Sequence, residues 1–164
     1  MAHLYSVTVA WTCTGDFASG EYSRGHEWRF DGLTVPGSSS PSVVKLPFSK
    51  EDAVDPEEAF IAAISSCHML WFLDLARQRG FVVDAYEDAA EGTMARIEPK
   101  RYWIDKVTLR PRITYADGHA PDAASESALH DEAHHLCFIA SSVRSEVVVE
   151  PVAGPASYAA SGAA

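Results

Sequence analysis

The stretch Asp55-Pro56-Glu57-Glu58-Ala59-Phe60-Ile61-Ala62-Ala63-Ile64-Ser65-Ser66-Cys67-His68-Met69-Leu70-Trp71-Phe72-Leu73-Asp74-Leu75-Ala76-Arg77-Gln78-Arg79-Gly80 decides how the rest of this chain must fold. Asp55 offers a side-chain acceptor at an N-cap, and Pro56 stands at the first helical position, where its missing N–H leaves no bond unmade. Glu57 and Glu58 suit the positive end of a helix dipole, and Gly80 supplies a stop. Between them, Ala59 to Leu75 is apolar or small on almost every side. That pattern predicts a helix buried on most faces, at the centre of the protein or at an interface.

Outward from this helix the pattern changes period. Tyr5, Val7, Val9 and Trp11 alternate with Ser6, Thr8 and Ala10, as a half-buried strand requires. After a turn at Thr14-Gly15-Asp16, a second strand is predicted over Glu21 to Phe30, with Asp31-Gly32 as the next turn. Pro36 to Pro47, with three prolines and four serines, reads as a loop. Beyond Gly80, one strand is predicted from Phe81 to Ile97 with a bulge, and another from Tyr102 to Tyr115, where Pro111 marks an edge or an end. Asp122 to Ser141 reads as a second helix, with Leu129, Ala133, Leu136, Cys137 and Ala140 in one buried stripe. A last strand covers Glu146 to Glu150. Strands, helix, strands, helix, strand is an α+β order and not an alternating βαβ one.

With 164 residues and 47% hydrophobic content, the chain fits a single domain over residues 1–152. The Ala/Gly/Ser/Pro tail, 153–164, is predicted to be disordered. A net charge of -10 with scattered Lys and Arg argues against a nucleic-acid partner. No continuous apolar run approaches a membrane span, and Met1-Ala2-His3-Leu4-Tyr5 lacks the regions of a signal peptide, so the expected location is cytoplasmic with no membrane partner. Three cysteines make a poor staple set in that reducing compartment.

Cys67 and Cys137 both fall in predicted apolar helices. A buried thiol surrounded only by carbon is inert, so a redox role requires a fixed positive neighbour. Arg24 and Arg29, on the second predicted strand, are the candidates; five positions apart, they point to opposite faces of an undistorted strand. Glu57 lies ten positions before Cys67, about 15 Å along a straight helix. If the two serve one site, either the helix bends or Glu57 reaches Cys67 of a second copy; the apolar helix favours the second, a two-fold homodimer. Cys13, without such company, reads as a strand-end residue. His130 and His134 are one turn apart, and His134, His135 and Cys137 have the donor types of a metal site, but His130 and His134 fall off the buried stripe at an exposed or rim position, and no metal is expected. His68 is open to two readings, modulating Cys67 or packing beside it.

The run Asp55 to His68, followed seventy positions after Cys67 by Cys137, resembles the OsmC/Ohr family of osmotically inducible and organic hydroperoxide resistance proteins. The resemblance spans roughly Val7 to Pro151. It implies antiparallel sheets around long central helices in an intertwined homodimer. It further implies a thiol-dependent peroxidase acting on organic hydroperoxides or hydrogen peroxide, with Cys67 as peroxidatic thiol, Cys137 as resolving thiol, and Glu57 and Arg24 positioning the thiolate. A lipoyl-type dithiol is the implied reductant, with no metal or other cofactor. Two departures are visible: Arg24 follows Tyr22-Ser23 where the hydroperoxide reductases carry a glycine pair, and His68 replaces an aromatic after the first cysteine. The rival expectation is a non-catalytic ligand-binding or redox-sensing protein on the same scaffold.

Overall fold

The computed structural model describes residues 3–154; from residue 155 onward the tail expected to be disordered lies outside the described residues. The chain is mixed α+β and divides into two compact units, 1–59 and 60–164.

In the first unit, β1 (Thr8–Ala10), β4 (His26–Phe30) and β5 (Leu33–Gly37) form an antiparallel sheet in the order β1-β4-β5. A short hairpin of β2 (Gly15–Asp16) and β3 (Glu21–Tyr22) stands apart from it. The strand expected over Glu21 to Phe30 is therefore two strands, and Arg24 belongs to neither. The cause is local: Ser23 and Arg24 give their backbone N–H groups to Thr14 and Phe48, outside the sheet ladder. The strand expected over residues 5–11 is likewise shorter, because only Thr8 to Ala10 find partners on β4.

Helix α1 (Pro56–Gln78) opens as its caps predict. Glu58 N–H donates to Asp55 Oδ1 at 2.8 Å and Asp55 N–H to Glu58 Oε2 at 3.2 Å, a reciprocal capping box that gives Glu58 a structural role. At its other end Gly80 takes a left-handed φ of 82°, a conformation that carries no penalty without a Cβ.

The second unit holds both helices' core. The long strands expected after Gly80 are each split: β6 (Val83–Asp88) and β7 (Glu91–Glu98), then β8 (Arg101–Leu109) and β9 (Pro111–Tyr115). β6 pairs with β9, while β7, β8 and β10 (Glu146–Val149) form a sheet in the order β10-β8-β7, whose β8–β10 pairing is parallel. Asp88 makes the break. Its Oδ1 accepts the Arg110 N–H at 2.6 Å, so that amide leaves the ladder, and its Oδ2 accepts the Ser65 hydroxyl of α1 at 2.5 Å.

The faces of α1 divide the work of packing. Phe60, Ile61 and Ile64 lie against Val107, Leu109, Val147 and Val149 of the three-stranded sheet, where Gly92 brings the backbone so close to Ile61 that a Cβ would meet it at 2.6 Å. Phe72, Leu75 and Ala76 pack instead on Leu129 and Ala133 of α2 (Ala123–Leu136) and on Val83, Tyr86 and Ile113 of the β6–β9 pair. Cys67 and His68 lie between these two clusters along the helix. By length and a mean hydropathy of 1.6, α1 is apolar enough to cross a membrane; here one face is core and Ala62, Ala63, Ser66 and Leu70 on the other are exposed.

Candidate active site

Helix α2 starts on Asp122, whose carboxylate accepts the Ser125 N–H at 2.7 Å, and it ends sooner than the stripe predicts. Cys137 is not inside the helix. It is the C-cap, with an extended ψ of 110°, and a 3-10 turn over Ala140–Ser142 follows. No glycine announces this stop, and the apolar spacing continues through it. The early end has a chemical consequence, since the Ala140 N–H is freed to donate to Cys137 Sγ at 3.3 Å.

Cys137 is fully buried, and its thiol interacts with that of Cys67, which is half-buried. Two cysteines seventy residues apart thus meet at the junction of α1 and the α2 cap. Burial, then the interaction with Cys67, push the Cys137 thiol up to about 11 against the smaller opposing pull of the Ala140 amide. At neutral pH it carries its proton. The more accessible sulfur of the pair is Cys67.

The histidines depart from expectation. His130 is not at the rim: it is 3% exposed, and its ring meets His68, itself 1% exposed. His68 Nε2 and His130 Nδ1 are 3.1 Å apart, with rings within 6° of parallel and centroids 5.4 Å apart. That centroid separation follows from a nitrogen-to-nitrogen contact, so the rings meet edge to edge and one N–H donates along the line. Phe72 covers the His130 ring at 4.4 Å. Burial, followed by the neighbouring His130 and His134, pulls His68 down to about 4, and burial pulls His130 down to about 4. Both are neutral at pH 7 and supply no cation for a thiolate. The sequence signal was the spacing: seven residues are two helical turns, which puts His130 on the same face of α2 as Cys137. Among the described residues no group of three or more His, Cys, Asp or Glu side chains is disposed to hold a metal ion.

Arg24 and Arg29 have different company within the first unit. Arg29 is on the exposed face of β4, paired with Glu27 at 2.8 Å. The Arg24 guanidinium donates to the carbonyls of Gly20 and Tyr22 at 2.9 and 2.5 Å and lies 3.7 Å from the Tyr22 ring centroid; among the described residues it has no carboxylate partner. It borders an apolar hollow of about 350 Å³ with Val9, Trp11, Phe17, Tyr22 and His26. Glu57 is half-buried and, among the described residues, has no hydrogen-bond or ion-pair partner. α1 runs without a break from Pro56 to Gln78, so the helix does not fold Glu57 back toward its own Cys67.

Sequence reading missed Ser65 and Asp88. Two residues before Cys67, Ser65 is fixed by a carboxylate that also sets the β8–β9 break, so one acid registers the thiol's helix against the sheets.

Comparison with known proteins agrees with this architecture. Residues 49–152 match the family model described as OsmC-like protein. An OsmC-like protein of unknown function from Vibrio cholerae is 40% identical, with 92% of this chain and 100% of that one covered and a TM-score of 0.89. At lower identity, the fold is shared with an organic hydroperoxide resistance protein from Legionella pneumophila (18% identical, TM-score 0.63, covering 92% and 97%). It is shared equally with the organic hydroperoxide resistance protein OhrB of Bacillus subtilis (19% identical, TM-score 0.64, covering 92% and 100%). No curated protein matches this chain. With more than half of its length under the family model and a relative at 40% identity over nearly the whole chain, this protein belongs to the OsmC-like family.

Proposed function

We propose that this protein is a thiol-dependent peroxidase for organic hydroperoxides or hydrogen peroxide, acting as a homodimer in a reducing, cytoplasmic setting. The observation that carries the reading is the Cys67–Cys137 contact, in which one sulfur is reachable and the other is buried and protonated. Such a pair is built for sequential use.

In the first step the Cys67 thiolate attacks the peroxide oxygen, the O–O bond breaks, and the alkoxide leaves and takes a proton as the alcohol. Cys67 is then a sulfenic acid. In the second, the Cys137 sulfur attacks Cys67 Sγ; the S–S bond forms and hydroxide leaves with the Cys137 proton as water. A dithiol of the lipoyl type returns both thiols by exchange, taking the disulfide itself. Because the His68–His130 pair is neutral, the positive charge that favours the Cys67 thiolate falls to an arginine; Arg24, with no carboxylate partner among the described residues, suits this better than Arg29, which Glu27 neutralises. Glu57, unpartnered among the described residues, is the acid that orients that arginine.

The test is consumption of cumene hydroperoxide and hydrogen peroxide coupled to dihydrolipoamide. The expected result is turnover that Cys67→Ser abolishes, with a Cys67–Cys137 disulfide seen by mass spectrometry after one equivalent of peroxide. Unchanged turnover in Cys67→Ser overturns the peroxidase reading. Disulfide formation without turnover would instead favour a redox sensor on the same scaffold.

A further inference from the structure

Away from the thiols, the second unit contains a cavity of about 400 Å³ beside the 3-10 turn, walled by Phe60, Trp103, Ile104 and Val143. Two serines complete the lining, and both hydroxyls are already engaged: Ser142 Oγ donates to the Phe138 carbonyl at 2.7 Å and Ser145 Oγ to the Ile104 carbonyl at 2.6 Å. The charged group of the lining is Arg144. Its guanidinium lies over the Trp103 ring, 5.8 Å from the centroid, and among the described residues it meets no carboxylate. Arg29, Arg77, Arg79, Arg101 and Arg110 pair with acids, whereas Arg144, like Arg24, lies over an aromatic ring with its charge unneutralised among the described residues.

We infer that this cavity is a binding site for an amphipathic monocarboxylate, its apolar body against Phe60, Trp103 and Val143 and its carboxylate on Arg144. The charge count favours a carboxylate over a phosphate: one guanidinium with no second cation lining the cavity matches a single negative charge. Its planar fork takes both oxygens of a carboxylate, while both serine hydroxyls already donate to backbone carbonyls. The volume suits a body of about eight carbons, at the lower end of ordinary ligand pockets. Neither Cys67 nor Cys137 lines the cavity, so the site stands independently of the peroxidase reading.

The probe is octanoate, titrated into the reduced full-length protein by calorimetry, with the Trp103 indole N–H followed by NMR. Saturable binding is expected, with the Trp103 signal shifting along the same isotherm. Octan-1-ol, of equal length and without the charge, should bind about tenfold or more weakly, and Arg144→Gln should weaken octanoate by a similar factor while Arg144→Lys retains part of the affinity. Arg144 is exposed, so the substitutions leave the core alone; unchanged circular dichroism verifies this. Equal binding of octanol and octanoate, indifference to Arg144→Gln, or shifts confined to Trp11 and Trp28 would each overturn the assignment. Turnover of Cys67 is not read in any arm, so failure here leaves the peroxidase reading untouched.

Discussion

A thiol held in a fully buried position with a raised pKa reacts only with what is delivered to it, and Cys137 is such a thiol. At pH 8 about one part in a thousand of it is ionised, given its value of about 11. In a Cys13→Ser background, which removes the exposed third cysteine, iodoacetamide at pH 8 is therefore expected to label Cys67 about a hundredfold faster than Cys137. Peptide mapping against time checks this, and comparable rates would contradict the division of labour. After peroxide, Cys137→Ser should leave Cys67 to proceed to sulfinic acid, a gain of two oxygens in the mass spectrum. The histidine pair gives a separate prediction. Both folded values lie near 4 and the unfolded value near 6.5, so between these the unfolded chain binds more protons than the native one. Stability from this source is complete above about pH 6.5 and is lost as pH falls towards 4. At most this amounts to about 3 kcal/mol per histidine. His130→Leu, which removes one titrating group and fits an apolar environment, should flatten the fall in urea midpoint between pH 7 and pH 4.5. An unchanged slope would remove the pair from the acid response.

At the scale of elements, α1 was legible because everything that defines it is local: an acceptor at Asp55, proline at the first turn, unbroken apolarity, glycine at the stop. The strand breaks were not, because they depend on contacts far away in sequence. Asp88 reads as an ordinary polar residue until its carboxylate is seen holding the Arg110 amide, 22 residues on, and the Ser65 hydroxyl, 23 residues back. The cysteines show the same division. Their residue types pointed to redox chemistry, but the helix end that places Cys137 Sγ under the Ala140 amide has no stop residue to betray it. Asp88→Ala is expected to cost about 2–3 kcal/mol, since it leaves a part-buried amide without its acceptor and frees Ser65. Asp88→Asn keeps one carbonyl acceptor and should cost clearly less. Denaturant unfolding of the two variants checks the order; equal losses would mean that packing, and not the two hydrogen bonds, sets the break.

At the scale of the whole molecule, the exposed strip Ala62, Ala63, Ser66 and Leu70 on α1 calls for a partner. Leu70 is 63% exposed and Phe138, just past the α2 cap, 67% exposed, large apolar side chains left in water. A second copy of the chain is the proposed cover, since small residues along a helix allow another helix to approach closely. Light scattering at micromolar concentration should return twice the chain mass, and Leu70→Glu should shift it towards the monomer. The proposed dimer would also answer the Glu57 problem. An unbroken α1 keeps Glu57 about 15 Å from its own Cys67, so a shared site takes Glu57 from the other copy. Cys67→Ser and Glu57→Gln should each be inactive or nearly so as homodimers. After partial denaturation and reassembly at equal amounts, half of the dimers are mixed, and each mixed dimer contains one site with an intact Cys67 from one chain and an intact Glu57 from the other. Turnover should return to about a quarter of the wild-type value, the share of intact sites under random pairing. If exchange is verified by mass and activity stays at the level of the two parents, then Glu57 does not act across the dimer.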